Sequence, residues 1–224
     1  MNEPGTTAFL FDLNGTMIDD MEYHIIAWHD ILNELGAGIS YEKAKAECYG
    51  KNNELLERIF PGRFSDAEKT RMSIAKEEKY QREFRPRLKL VDGLDLFINE
   101  AYDRKILMAI GSAAIKFNID FVLDGLSIRR YFKSVVSADD VSYSKPHPET
   151  YLKCSAELGI LPESCIVFED SPRGVECASR AGMKSVVVNT MHSMHEFSSF
   201  DNILSFSKDF TAMSVLEILQ ANES

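Results

Sequence analysis

The chain has 224 residues, is 45% hydrophobic and 27% charged, and carries a net charge of −10 at neutral pH. This length suits one large domain or a domain with a smaller insertion, and the composition is that of an ordinary globular protein. The acidic balance excludes a nucleic-acid polyanion as the main partner, which would require a surplus of Lys and Arg; a small phosphorylated ligand stays compatible, because a few local cations and a metal can overrule the global field.

No cationic start followed by a long apolar run is present, and no apolar stretch approaches membrane-spanning length, so a cytoplasmic protein with no membrane partner is expected. Cys48, Cys154, Cys165 and Cys177 show no close-paired metal spacing and read as core or surface fillers.

The first predicted strand, Ala8 to Phe11, is a short apolar run of the kind buried on both faces of a parallel sheet, and it ends at Asp12. Gly15 then frees the backbone to turn and to aim successive N–H groups at one point. A helical period follows, with Met21, His24, Ile25, Trp28, Leu32 and Leu35 on one face and Gly36 as a stop. Leu55, Leu56 and Ile59 mark a second helix, broken by Pro61-Gly62, and a third runs from Asp66 to Phe84, so charged that its faces read as solvated. No strand separates these helices, which predicts an inserted all-helical domain over residues 19–89. The flanking parts, 1–18 and 90–224, form an α/β core with a Rossmann-like parallel sheet. From Asp92-Gly93 onward helix and strand patterns alternate, with strands at Ile106 to Ile110, Val135-Val136, Ile166 to Phe168 and Val186 to Val188, and a weaker one near Ile203-Leu204.

Polar residues cluster at the carboxyl ends of these strands, the edge where an open parallel sheet binds ligands. Asp12, Ser112, Lys145 in Ser144-Lys145-Pro146, and the pair Glu169-Asp170 each have a task in phosphoryl transfer. Asp12 is the candidate nucleophile. Asp12, the backbone carbonyl of Asn14, Glu169 and Asp170 form an oxygen donor set for a hard cation, expected to be Mg²⁺. Ser112 and the N–H groups after it, starting with Ala113, with Gly15 and Thr16 in the first loop, would cradle the phosphoryl oxygens, and Lys145 would balance the charge.

In this order the residues resemble the haloacid dehalogenase superfamily, and within it the β-phosphoglucomutase-like group with a helical cap. Phe11-Asp12-Leu13-Asn14-Gly15-Thr16 looks like the first motif, Ile110-Gly111-Ser112-Ala113 the second, Ser144-Lys145-Pro146-His147-Pro148-Glu149 the third and Phe168-Glu169-Asp170-Ser171-Pro172-Arg173-Gly174 the fourth. The resemblance spans nearly the whole chain. It implies Mg²⁺-dependent transfer through an aspartyl phosphate on a small sugar phosphate, by a phosphatase or phosphomutase that is a monomer or weak homodimer. It also implies a hinge histidine near substrate at His24, a ligand-reaching cap lysine at Lys76, a specificity loop at Gly50-Lys51-Asn52-Asn53 whose Lys51 and Asn52 contact substrate, and a cis Lys145-Pro146 bond.

Asn14 departs from the pattern. The family's acid/base aspartate stands there, and an amide donates a hydrogen bond without shuttling a proton. Three accounts remain open: a substitution that traps a complex, a native asparagine with His24 or the substrate supplying the proton, or a leaving group that needs none, as in the phosphonate-cleaving members. A catalytically silent binder of phosphorylated ligands is the alternative from another functional class. Bland readings also stand beside the sharp ones: Asp19 and Asp20 as caps of the first inserted helix, Asp139 and Asp140 as loop acids, and His192, His195 and Glu196 as a surface turn.

Overall fold

The computed structural model describes residues 7–223. In chain order the elements are β1 (Ala8–Phe11), α1 (Met21–Glu34), α2 (Tyr41–Glu47), α3 (Asn52–Ile59), α4 (Asp66–Phe84), α5 (Leu94–Asp103), β2 (Leu107–Gly111), α6 (Lys116–Gly125), β3 (Ser134–Val136), α7 (Glu149–Leu158), β4 (Cys165–Glu169), α8 (Pro172–Arg180), β5 (Lys184–Val188), β6 (Ile203–Ser207) and α9 (Val215–Glu223). The chain divides into two compact units, Met1–Asp19 with Lys89–Ser224, and Asp20–Leu88.

The first unit is built on a parallel sheet with the order β3-β2-β1-β4-β5-β6. β1 lies between β2 and β4, pairing Phe11 with Ile110 on one side and Phe168 on the other. The strand order reverses on either side of β1, so its carboxyl end opens at a topological switch point. Every β1 residue is buried, and the two faces differ because successive side chains alternate. Phe9 and Phe11 join Phe97, Phe168 and Phe210 in an aromatic layer, with the rings of Phe11 and Phe168 stacked at 4.6 Å. Ala8 and Leu10 face the opposite way, into a cluster with Ala109, Tyr151, Cys154, Val167, Cys177 and Ala178. Three of the four cysteines, Cys154, Cys165 and Cys177, are therefore core residues. With both faces covered, the central strand is held rigidly, and so is the residue at its end.

The second unit packs α1 against α2 and α4, and α3 against α4. Trp28 and Leu32 of α1 meet Leu55, Leu56 and Phe60 in one apolar cluster. Ser65 caps α4 through a reciprocal capping box with Glu68. Two sequence expectations change here. Helix α2 escapes the periodicity because Ala44 is its one buried residue, although Ser40 caps it by accepting a bond from the Lys43 N–H at 3.2 Å. Helix α4 is not solvated all round: Ser73, Lys76, Glu77, Tyr80, Gln81 and Phe84 are buried along one face. That face is largely polar: Lys76 pairs with Glu77, and Ser73, Lys76, Glu77 and Tyr80 also meet partners outside α4, at Asn52, His24 and Asp20.

Candidate active site at the carboxyl edge of the central strands

Asp12 continues β1, its N–H donating to the Phe168 carbonyl at 2.9 Å, and its carboxylate is buried. The turn beyond it closes through the Gly15 N–H on the Ile18 carbonyl at 2.8 Å, while the Met17 N–H bonds the Leu13 carbonyl at 2.9 Å. Gly15 sits at φ +82°, and a Cβ there would come within 2.2 Å of Asp170 Oδ2, so both conformation and space demand glycine. Thr16 Oγ1 donates to Asp170 Oδ1 at 3.4 Å and Thr190 Oγ1 to the Gly15 carbonyl at 2.7 Å. The first loop is thus tied to the loop after β4. Asn14 is half-buried in this turn.

Ser112 follows β2, held by its N–H on the Val136 carbonyl at 2.9 Å, and its hydroxyl accepts from the Ala114 N–H at 3.1 Å with Ala113 between them. Helix α6 starts only after Ile115, so Ser112 is not its N-cap.

Lys145, at a cis Lys145–Pro146 bond, reaches the same place. Its Nζ donates to Asp12 Oδ1 at 2.7 Å, Glu169 Oε1 at 2.6 Å and the Tyr151 hydroxyl at 2.8 Å. Glu169 ends β4, and its other oxygen, Oε2, accepts from the N–H groups of Asp170 (3.1 Å) and Ser171 (3.2 Å) and from Ser171 Oγ (3.2 Å). A Cβ at position 174 would lie 1.8 Å from the Glu169 carboxyl carbon, so Gly174 makes room for that side chain.

The charges here are unbalanced. Asp12, Glu169 and Asp170 each offer an oxygen within 4.8 Å of the others, all are buried, and Lys145 is bonded to two of them, Asp12 and Glu169. Burial, aided by Glu169 and opposed by Lys145, pushes the Asp12 carboxyl up to about 7. Burial and the neighbouring Glu169 and Asp12 charges raise Asp170 well above the usual carboxylate range. Burial alone would lower Lys145, but Asp12 and Glu169 overcome it and hold the ammonium above its ordinary value. Such a pocket lacks positive charge, and its all-oxygen donors suit a hard divalent cation. A metal bound there would have to displace protons from these acids. A Mg²⁺ ion held there would be expected to release protons at pH 6 and fewer as the pH rises past about 7, where Asp12 is already ionised. Titration calorimetry in buffers of different ionisation enthalpy measures this, and an affinity independent of pH between 6 and 8 would contradict it.

No motif in the sequence marks Tyr151 as a site residue. It sits on α7 with its hydroxyl donating to Glu169 Oε1 at 2.6 Å. Asp139 and Asp140 serve locally: Asp139 Oδ2 accepts from the Lys116 N–H, and Asp140 Oδ2 accepts from the N–H and hydroxyl of Ser137. His192 Nδ1 pairs with Glu196 in an exposed turn, at 2.9 Å.

The remaining predicted residues belong to the helical unit and form their own network. Lys76 Nζ lies 2.6 Å from His24 Nδ1 and 2.9 Å from Glu77 Oε1. With Lys76 donating into Nδ1, the ring proton is assigned to Nε2, which faces Asp20 Oδ2 at 3.2 Å. Tyr80 stacks on His24 at 3.9 Å and donates to Asp20 Oδ2 at 2.5 Å. Asn52 donates to Ser73 Oγ at 2.7 Å and Glu77 Oε1 at 2.9 Å. Asp20 therefore occupies the N-cap position of α1 without capping it by its side chain. Lys51 precedes α3, its N–H on Glu54 Oε2 at 3.1 Å.

The sequence matches the family of haloacid dehalogenase-like hydrolases over residues 9–188. The chain belongs to that family. Hexitol phosphatase B of Escherichia coli (strain K12) is 29% identical to this hydrolase over 216 residues, covering 93% of this chain and 96% of that protein. Beta-phosphoglucomutase of Bacillus subtilis (strain 168) is 28% identical over 189 residues, covering 81% and 82%. The crystal structure of beta-phosphoglucomutase from Clostridium difficile superposes with a TM-score of 0.84 at 25% identity, over 97% of each chain. These likenesses make the hydrolase an enzyme of the family's phosphatase and phosphomutase kind. Among its described residues, no helix is long and apolar enough to cross a membrane.

Proposed function

We propose that this hydrolase transfers the phosphoryl group of a small sugar or polyol monophosphate through an aspartyl phosphate on Asp12. The observation that carries the reading is a buried carboxylate at the end of the central strand, bonded to Lys145 and set beside a second acid, Asp170. Asp12 attacks phosphorus, the bond to the sugar oxygen breaks, and water or a sugar hydroxyl later takes the phosphoryl group from Asp12. Lys145 offsets the charge shared by nucleophile and phosphoryl group, and Ser112 with the N–H groups after it receives the phosphoryl oxygens.

Asp12, Asp170 and the Asn14 carbonyl would hold Mg²⁺, which when bound supplies positive charge to the phosphoryl oxygens. Glu169, expected from the sequence as a further ligand, has both oxygens occupied by protein donors, so it is read as the brace of Lys145 and the Asp170 loop. The leaving oxygen still needs a proton, and Asn14 cannot give one. That single feature favours the second reading, a phosphate-ester binder with little turnover.

The test is phosphate release from fructose 1-phosphate, hexitol phosphates and β-glucose 1-phosphate, with Mg²⁺ and with EDTA, beside Asp12→Asn. Release that requires Mg²⁺ and disappears in the variant is expected. Undiminished release by Asp12→Asn would refute the nucleophile assignment.

A further inference from the structure

We propose that Tyr151 is a positioning residue for the phosphoryl site: its hydroxyl, bridging Lys145 and Glu169, holds the Lys145 ammonium against Asp12. The inference rests on the reading of Asp12 as the group that takes the phosphoryl. An ammonium has three N–H donors, and the acceptors around Lys145 Nζ are Asp12 Oδ1 at 2.7 Å, Glu169 Oε1 at 2.6 Å and the Tyr151 oxygen at 2.8 Å. Lys145, Tyr151 and Glu169 thus close a triangle, since the Tyr151 hydroxyl itself donates to Glu169 Oε1 at 2.6 Å. The phenol spends its one proton on Glu169, which leaves its lone pairs for the ammonium, so the triangle has a single sense.

Two sides of this seat are rigid. The Tyr151 ring is buried in the cluster with Leu10, Cys154 and Val167. It passes so close to β2 that a Cβ on Gly111 would lie 3.0 Å from its Cε1. Glu169 is held by Ser171 and by the space above Gly174. The third acceptor, Asp12, belongs to the reacting loop. A lysine stem is flexible, and an ammonium without a fixed seat samples many positions. Without the hydroxyl, the ammonium keeps Glu169 as its one rigid acceptor and swings towards it, away from Asp12. The ring face, 4.6 Å from Nζ, would remain in a phenylalanine, so Tyr151→Phe isolates the hydroxyl.

Beryllium trifluoride with Mg²⁺ is a suitable probe, because it attaches to a carboxylate as an acyl-phosphate mimic and involves no proton transfer, so Asn14 does not enter. Fluorine NMR titration is expected to show binding to the parent, roughly tenfold weaker binding to Tyr151→Phe, the scale of one hydrogen bond to a charged group, and parent-like binding to Leu158→Ala, a destabilising substitution on the same helix and in the same apolar cluster. Equal affinity in parent and Tyr151→Phe would overturn the proposal, as would an equal loss of affinity in Leu158→Ala, which would mark Tyr151 as packing alone. Absence of binding to Asp12→Asn is the control: binding there, or none to the parent, would overturn the nucleophile reading instead.

Discussion

Replacing Asn14 by Asp is expected to raise turnover of a sugar monophosphate by about 10²–10⁴-fold, the usual worth of a placed general acid. The two side chains are nearly isosteric, and the turn that presents position 14 is held by backbone bonds among Leu13, Gly15, Met17 and Ile18 that the substitution does not touch. The gain should appear in kcat, with KM nearly unchanged, because a group that acts on the leaving oxygen contributes mainly in the transition state. Mg²⁺ affinity should also hold, since the proposed contribution of this position to the ion is its main-chain carbonyl. Steady-state kinetics of the two proteins on one substrate checks both statements. Equal kcat values would show that the proton arrives by another route.

The second large effect is on stability. Lys145→Met keeps an apolar stem but leaves Asp12, Glu169 and Asp170 buried without their cation. Breaking a buried pair by removing one partner costs about 3–5 kcal/mol, because the other charge is left uncompensated. The sign of the pH dependence follows from linkage. Asp12 and Asp170 already titrate above their unfolded values, and loss of Lys145 raises them further. A carboxyl raised in the folded state binds its proton more tightly there than in the unfolded chain, so its contribution is present at low pH and lost as pH rises through the folded value. The variant should therefore be penalised more at pH 8 than at pH 5 in urea unfolding with EDTA, and Mg²⁺ should recover part of the loss. A penalty below 1 kcal/mol at pH 8, or one equal at the two pH values, would contradict this.

Much of the site could be read in the sequence because it is written at strand ends. An apolar run that stops at a carboxylate, as at Asp12 or Glu169-Asp170, states both the strand and the direction of its open edge. Tyr151 could not be read that way. In sequence it is one buried-face residue of a helix, and only the packing of α7 on β1, β2 and β3 brings its hydroxyl between Lys145 and Glu169. Its place six residues after Lys145, on the buried face of its helix, was the signal available. Helix α2 was hidden for the opposite reason, since a single buried alanine has no period. The polar face of α4 looked solvated because charge alone does not reveal pairing: Lys76 and Glu77 are adjacent in sequence, yet His24 and Asn52 come from α1 and α3.

That network in the helical unit bears on how such a unit can change over generations. Asn52, in the segment expected to set specificity, spends its amide on Ser73 and Glu77, and Glu77 in turn holds Lys76 against His24. A new residue at position 52 takes a donor from the buried Ser73 and Glu77, although Lys76 still donates to Glu77 Oε1, so changes at 52 are coupled to positions 73 and 77. The segment is therefore inherited together with one face of α4, and a graft from a relative should carry both.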